Sequence, residues 1–307
     1  MDEFEIIRRY FDRGRPGEGT VVGIGDDGAI LSPTPGKQLV TVVDTVVEGV
    51  HFPAGLGPDD IGYRAVAVNL SDIAAMGAVP RWMTLSLSMP EARERWLMYF
   101  SEGLLAAAAE HGVELVGGDT TAAPQIVVSV QVIGEIETGR AILRSGARPG
   151  DTIYVTGTVG DAAAGLHGLE HGGVPKELAS RFSRPSARVR YGQLLVGIAS
   201  AAIDISDGLY ADLGKLLAAS DVGGEIDLGA LPLSNALRET FTTREQREFA
   251  LSGGDDYELC FTSAGEPPDP GFMELTAIGN VVEGAGLRCT LDGEDFDFDD
   301  PGFLHFQ

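Results

Sequence analysis

The sequence predicts an α/β or α+β protein of two domains, and three observations predict it. At 307 residues the chain exceeds what one hydrophobic core ordinarily serves. Strand-like runs alternate with segments of helical period along its whole length. A Gly-, Arg- and Pro-rich stretch, TGRAILRSGARPGD at 138–151, interrupts that alternation near the middle. The expected division is a domain at 1–137, a connection at 138–150 and a domain at 151–307.

The elements follow from local pattern. Phe4, Ile7 and Phe11 stand at helical intervals, and a Gly/Pro-rich break then leads into a loop carrying Gly23-Ile24-Gly25-Asp26-Asp27-Gly28. Residues 38–45 (QLVTVVDT) form a β-rich run, and residues 60–76 have helical spacing with Asp72 inside. A helix is expected over 91–111, with Trp96, Phe100 and Leu104 on one core-facing stripe. Strands follow at 114–116 and 125–136, with Gly117-Gly118-Asp119-Thr120 between them. Beyond the connection we expect a strand at 152–156, helices from 161 and near 186–200, and a strand at 201–205. That strand feeds a helix N-capped by Ser206. The remainder alternates strands (225–228, 257–262, 275–282, 287–291) with turns, and no 20–50-residue repeat appears.

Composition excludes several classes. With 46 Asp+Glu against 22 Lys+Arg the net charge is −24, which argues against a nucleic-acid binder, since phosphate affinity needs clustered Lys and Arg. An anionic ligand would need metal ions as intermediaries. No apolar run approaches the roughly 20 residues of a membrane span. Two cysteines give neither a disulfide framework nor metal-ligand spacing, and the N-terminal MDEFEIIRRYFDR is charged where a signal peptide is apolar. The expected setting is a reducing cytoplasm.

The glycine loop at 23–28 matches a dinucleotide pattern, but two carboxylates inside it would repel a pyrophosphate. Neither Gly-Lys pair, at 36–37 and 214–215, is followed by Ser or Thr, so a Walker loop is excluded. The informative residues are aspartates at turns, strand ends and helix starts: Asp26, Asp27, Asp44, Asp72, Asp119, Asp204 and Asp207. Taken singly, each reads as a turn or cap residue. The apolar flanks of Asp44, Asp72 and Asp204 draw those carboxylates inward, where an unpaired charge is expensive unless a cation coordinates it. All-oxygen ligands favour Mg²⁺, and five scattered histidines do not make a zinc site.

Eight segments, GIGDDGAI, VVDTVVEGVHF, AVNLSDIAAMGA, VGGDTT, RSGARPGD, VTGTVGDAAAGL, IDISDGLYADL and LSGGDDYELCF, occur in this order and span nearly the whole chain. Together they resemble the thiamine-monophosphate kinase family, within the aminoimidazole-ribonucleotide-synthetase-like superfamily. The resemblance implies a two-domain fold, the N-terminal domain forming a sheet or barrel across a homodimer and the C-terminal domain being α/β. It implies ATP-dependent phosphorylation of thiamine monophosphate to thiamine diphosphate, with several Mg²⁺ ions. Asp27, Asp44, Asp72, Asp119, Asp204 and Asp207 would be metal ligands, with Val42 and Val43 offering only backbone oxygens. Gly118, Asp119, Arg144 and Ser206 would contact ATP; His51, Asp255 and Phe303 would contact the acceptor. Asp44, Asp72, Asp119 and Arg144 would carry the chemistry. The chain departs from the family pattern at Val42 and Val43, where relatives often have Ser and Thr, at Asp255 for Glu, and at Phe303 for Trp.

The implied chemistry suits these residues. A phosphate monoester has its second pKa near roughly 6, so the acceptor oxygen is already anionic at neutral pH and needs no general base. Direct in-line transfer is expected, because no nucleophile motif is present. The cationic thiazolium suits an acidic cleft, and Arg144 is the candidate phosphate clamp. An aromatic Phe303 after the acidic run at 292–300 suggests a lid. Two alternatives remain open here: another ATP-dependent synthetase of the superfamily, and a non-catalytic Mg-nucleotide binder.

Overall fold

The computed structural model describes residues 2–12, 17–298 and 302. The chain divides into two compact units, one built from the chain up to Ile73 together with Ala78–Gly139, the other from Ala74–Gly77 together with Arg140 onward.

The first unit begins with α1 (Glu3–Ile6), capped by Asp2, whose turns continue as a π-helical segment at Ile7–Phe11. β1 (Thr20–Val22) and β2 (Ile30–Leu31) form an antiparallel ribbon around the glycine loop, where the sequence suggested only a loop. Then come β3 (Lys37–Val47), α2 (Pro58–Ala75), β4 (Val79–Met89), α3 (Glu94–Glu110), β5 (Glu114–Ala122) and β6 (Val127–Glu137). The last four strands make a sheet of order β3-β6-β4-β5, antiparallel except for the parallel β4–β5 pair.

Alternation along these strands sorts the side chains into two faces. Val40, Val46, Leu85, Leu87, Val128, Val130 and Val132 are buried, whereas Thr41, Val43, Thr45 and Ser86 on the opposite face are exposed. That outer face is tied by Thr45–Ser129 (2.7 Å) and Gln131–Thr41 (3.2 Å) side-chain hydrogen bonds, and Val43 is 62% exposed on it. α2 and α3 cross closely because Gly62 and Gly103 lack side chains: a Cβ on Gly62 would lie 2.8 Å from Leu104 N, and one on Gly103 would strike the Asp59 carbonyl.

The second unit holds β7 (Thr152–Thr156), α4 (Asp161–His171), α5 (Lys176–Ser183), α6 (Val189–Leu194), β8 (Ala201–Asp204), α7 (Leu209–Ser220), β9 (Gly223–Asp227), α8 (Asn235–Thr240), α9 (Thr243–Ser252), β10 (Leu259–Ser263), β11 (Leu275–Val282), β12 (Gly286–Leu291) and β13 (Glu294–Phe296). Its seven strands run in the order β13-β12-β9-β11-β7-β10-β8. A core of Ile153, Val155, Ile203, Leu213, Leu216, Ile226 and Ile278 lies where the apolar stripe of α7 meets the sheet.

Two sequence expectations are corrected. Gly117-Gly118-Asp119-Thr120 is not a turn between strands but part of β5, in register with Thr84–Leu87 of β4. A parallel neighbour holds it extended despite its glycines, and Gly118 (φ 155°) is required because a Cβ there would overlap the Leu85 carbonyl. Ser206 is not the N-cap of the following helix: Gly208 (φ 120°, ψ 147°) is, and α7 starts at Leu209.

Candidate functional site

In the first unit, the glycine loop faces β5 across a cavity of about 620 Å³ lined by Asp26, Asp27, Gly28, Leu85, Gly118 and Asp119 among others. Asp27 N–H donates to Asp26 Oδ1 (2.8 Å), folding the loop back on itself. Asp119 is exposed and shares its cross-strand row with Ser86. Four residues singled out from sequence, Asp26, Asp27, Gly118 and Asp119, therefore meet at one cavity.

Asp44 and Asp72 form a second locus. Asp44 N–H donates to Asn69 Oδ1 (3.0 Å), and Asn69 Nδ2 is anchored on the Ala65 carbonyl (3.0 Å). Asp72 lies three residues beyond Asn69 on α2, hence on the same helix face. Asp44 turns its N–H away from β6, so by the alternation of an antiparallel ladder Val42 presents its carbonyl to the same free edge while Val43 points its own at β6. β3 and β5 are the two edges of the sheet, separated by three strand spacings, or about 14 Å. A single ion cannot bridge Asp44 and Asp119 within one chain at that separation. His51 sits in the turn after β3, its Nδ1 accepting from Val47 N–H (3.1 Å), which leaves the ring proton on Nε2.

In the second unit, Asp204 ends β8 and is 4% exposed, paired in register with Leu259. The Ser206-Asp207-Gly208 loop beyond it is gathered by one carboxylate: Asp212 Oδ2 accepts from the backbone N–H of Ser206 (2.8 Å), Asp207 (2.9 Å) and Gly208 (3.2 Å). Lys215, one turn further on, bonds both Asp207 and Asp212. The Gly253-Gly254-Asp255-Asp256-Tyr257-Glu258 segment lies directly against this loop. Asp255 N–H donates to the Ser206 carbonyl (2.9 Å), Tyr257 N–H to the Ile205 carbonyl (2.8 Å) and Ile205 N–H to the Glu258 carbonyl (2.9 Å). Two motifs about 50 residues apart thus form one platform carrying Ser206, Asp207 and Asp255.

Behind the platform is a buried ionic layer. Glu258, with no exposure, takes hydrogen bonds from Arg181 (2.7 Å), Arg188 Nε (2.6 Å) and Thr156 Oγ1 (2.7 Å). Asp256, 1% exposed, accepts from Gly160 N–H (2.7 Å) and Ala162 N–H (3.3 Å) at the start of α4, where a helix favours negative charge. Burial nevertheless pushes the Asp256 carboxyl up to about 8, against the pull of Arg181 and those two amides. Burial also works against the Arg181 guanidinium, but Glu258, Asp256 and Asp161 outweigh it and hold its pKa above the ordinary value.

Arg144 is exposed in the 140–151 stretch, where Ser220 Oγ donates to its carbonyl (3.1 Å) and accepts from Gly146 and Ala147 N–H (3.1 Å each). Phe303 lies outside the described residues, although Gly302 lies so close to Asp207 that a Cβ on it would stand 2.5 Å from the Asp207 carbonyl. Among the described residues, no three His, Cys, Asp or Glu side chains are placed to hold a metal ion by themselves. The supporting residues Asn69, Asp212, Lys215, Asp256, Tyr257, Glu258, Arg181 and Arg188 were not singled out from sequence. Asn69, Asp212, Asp256, Tyr257 and Glu258 fall inside quoted motifs, and the half-buried arginine pair left no local signal.

The AIR synthase related protein N-terminal domain family matches residues 25–136, and its C-terminal domain family matches 148–292. A thiamine-monophosphate kinase of Salmonella typhimurium is 44% identical, the alignment covering 99% of this chain and 98% of that protein. The crystal structure of a thiamine-monophosphate kinase from Stenotrophomonas maltophilia K279a superposes with a TM-score of 0.85 at 42% identity, over 95% of this chain and 96% of that one. A structure described as AaThiL complexed with AMPPCP and TMP superposes with a TM-score of 0.79 at 38% identity, over 90% of each chain. The chain belongs to the AIR synthase related family, among its thiamine-monophosphate kinases.

Proposed function

We propose that the protein transfers the γ-phosphate of ATP directly to thiamine monophosphate, giving thiamine diphosphate. The observation that carries this reading is end-to-end similarity to thiamine-monophosphate kinases, one relative of which holds both a nucleotide analogue and TMP.

The donor set is all oxygen and fits Mg²⁺, which is characteristically held by one or two carboxylates plus substrate phosphates rather than by a complete protein cage. Asp27 and Asp119 at the first cavity, Asp44, Asp72 and the Val42 carbonyl at the β3 edge, and Asp204 and Asp207 in the second unit are the residues that would hold the ions. Bound Mg²⁺ would supply positive charge that offsets the charge of the transferring group. The chain itself positions. Asp212 takes up the Ser206–Gly208 amides and so fixes the loop that presents the Ser206 and Asp207 side chains, and Arg144 supplies an exposed cation for a phosphate oxygen. His51, with its proton on Nε2, offers a donor to the acceptor, and Asp255 offers an anion to its cationic ring. Phe303 completes the acceptor contacts. A phosphate acceptor is ionised at neutral pH, so the apparent lack of a general base is no obstacle.

Domain roles follow: residues 1–137 bind Mg-nucleotide and dimerise, 138–150 connect, and 151–307 form the C-terminal domain. A homodimer is supported by the uncovered sheet face, on which Leu39 (49% exposed) and Val43 stand open, and by the separation of Asp44 from Asp119 within one chain. A reducing cytoplasm agrees with two buried, unpaired cysteines, Cys260 and Cys289, and among the described residues no helix is long and apolar enough to cross a membrane.

The test is ADP formation with Mg²⁺ and ATP in three parallel reactions, with thiamine monophosphate, with thiamine and with no acceptor. Turnover confined to the monophosphate is expected; equal turnover in all three would remove the assignment.

A further inference from the structure

The segment bearing Asp255 has an unusual backbone. Asp255 (φ 62°) and Tyr257 (φ 52°) both occupy the left-handed region, on either side of Asp256. Aspartate tolerates that region; for a bulky tyrosine it is strained and persists only where the surroundings dictate it. Here they do. The backbone N–H groups of Asp255 and Tyr257 are bonded to the Ser206 and Ile205 carbonyls, and a Cβ on Gly254 would lie 2.5 Å from the Ser206 carbonyl. Asp256 is clamped to the first turn of α4 and Glu258 to two arginines, so the residues flanking Tyr257 cannot relax.

Such a conformation does something that an ordinary turn would not. In an extended strand, residues i and i+2 project to the same face some 7 Å apart. With both in the left-handed region, the Tyr257 hydroxyl comes back onto the side chain two residues earlier and donates to Asp255 Oδ1 at 3.1 Å. Tyr257 is itself only 8% exposed, so its ring is held by packing while its hydroxyl reaches the half-buried carboxylate. A short aspartate is thereby kept in one orientation beside Ser206 and Asp207.

We propose that Tyr257 is a positioning residue for the acceptor, acting through Asp255: its hydroxyl presets the carboxylate that meets the cationic ring of the substrate. This inference rests on the kinase reading and on Asp255 as an acceptor contact. Pre-organisation of this kind lowers the ordering cost of binding, so its loss appears in acceptor affinity and leaves the nucleotide untouched.

The test uses the full chain with Tyr257→Phe, Asp255→Ala and the double variant. Tyr257→Phe keeps the buried ring, and its thermal midpoint should match the unsubstituted protein. Its KM for thiamine monophosphate, and the Kd for the same ligand by calorimetry, should rise about 10-fold, as expected for a lost hydrogen bond to a charged group. The KM for ATP should be unchanged, and Tyr257→Phe should add nothing in the Asp255→Ala background. Equal effects of Tyr257→Phe in both backgrounds, or a parallel change in both KM values with a lowered midpoint, would overturn the positioning role. If the unsubstituted protein phosphorylates thiamine monophosphate but Asp255→Ala leaves its KM unaltered, the proposal fails while the kinase reading stands. Absence of turnover with that acceptor would sink both.

Discussion

At Asp256, burial and hydrogen bonding pull a single carboxyl in opposite directions. Burial wins, lifting it from an ordinary value of 3.8 to about 8. Over the window between those values the folded chain keeps a proton that the unfolded chain has released, so this residue makes stability fall as pH rises from about 4 to about 8 and then level off. Asp256→Asn keeps the size and one acceptor for the Gly160 and Ala162 amides but cannot titrate. Urea midpoints of the two proteins at pH 5 and pH 8 should show a shallower fall for the variant; parallel curves would mean that Asp256 is ionised in the fold. The same scale shows what sequence can reveal about a site. Asp27, Asp119, Asp207 and Asp255 were legible because each stands in a glycine-marked motif, a local signal. The pairing of Glu258, which lies in the same motif as Asp255, with Arg181 and Arg188 was not, because an ion pair across 70 residues or more leaves no trace in spacing.

Among the elements, the start of α7 depends on a side chain rather than on a capping residue. Gly208 brings no side chain to the N-cap position, and Asp212 from the first turn reaches back to three successive backbone N–H groups. Asp212→Ala leaves those amides without that acceptor and should cost about 1–3 kcal/mol, read as a lower urea midpoint with unchanged m-value. A loss below about 0.5 kcal/mol would show that water replaces the carboxylate at no penalty. α2, α3, β3 and β6 were predicted nearly to their ends, since their periodicity is strong. β4 was missed although it lies inside its sheet: Thr84, Ser86 and Ser88 alternate cleanly with Leu85, Leu87 and Met89, but a register shift between Pro80 and Trp82 breaks the pattern at its start. α9 was also missed, despite a capping box between Thr242 and Glu245, because its polar sequence has little apolar period. β5 shows the converse error, two glycines suggesting a turn where a parallel neighbour imposes a strand.

For the whole molecule, a charge of −24 together with carboxylates in loops and at strand ends is consistent with the proposal that the protein meets its anionic ligands through cations. The distance between the β3 and β5 edges keeps Asp44 and Asp119 of one chain from sharing a single ion, which suits the proposed homodimer, where a second copy would bring the opposite edge alongside. Light scattering should therefore give a mass near twice 32.3 kDa, and a single-chain mass in the active protein would contradict the shared site. The ordered motif set was legible at this scale because eight short matches in sequence constrain one another; the open sheet face was not, since its exposed Leu39 and Val43 read as ordinary strand residues until the other face was seen to be buried. The most direct measurement follows the γ-phosphate of labelled ATP in the presence of Mg²⁺ and thiamine monophosphate. The account predicts label in the terminal phosphate of thiamine diphosphate, none on the protein after incubation with ATP alone, and none transferred to free thiamine. Label released only as inorganic phosphate, or retained on ATP while the nucleotide is bound, would contradict it.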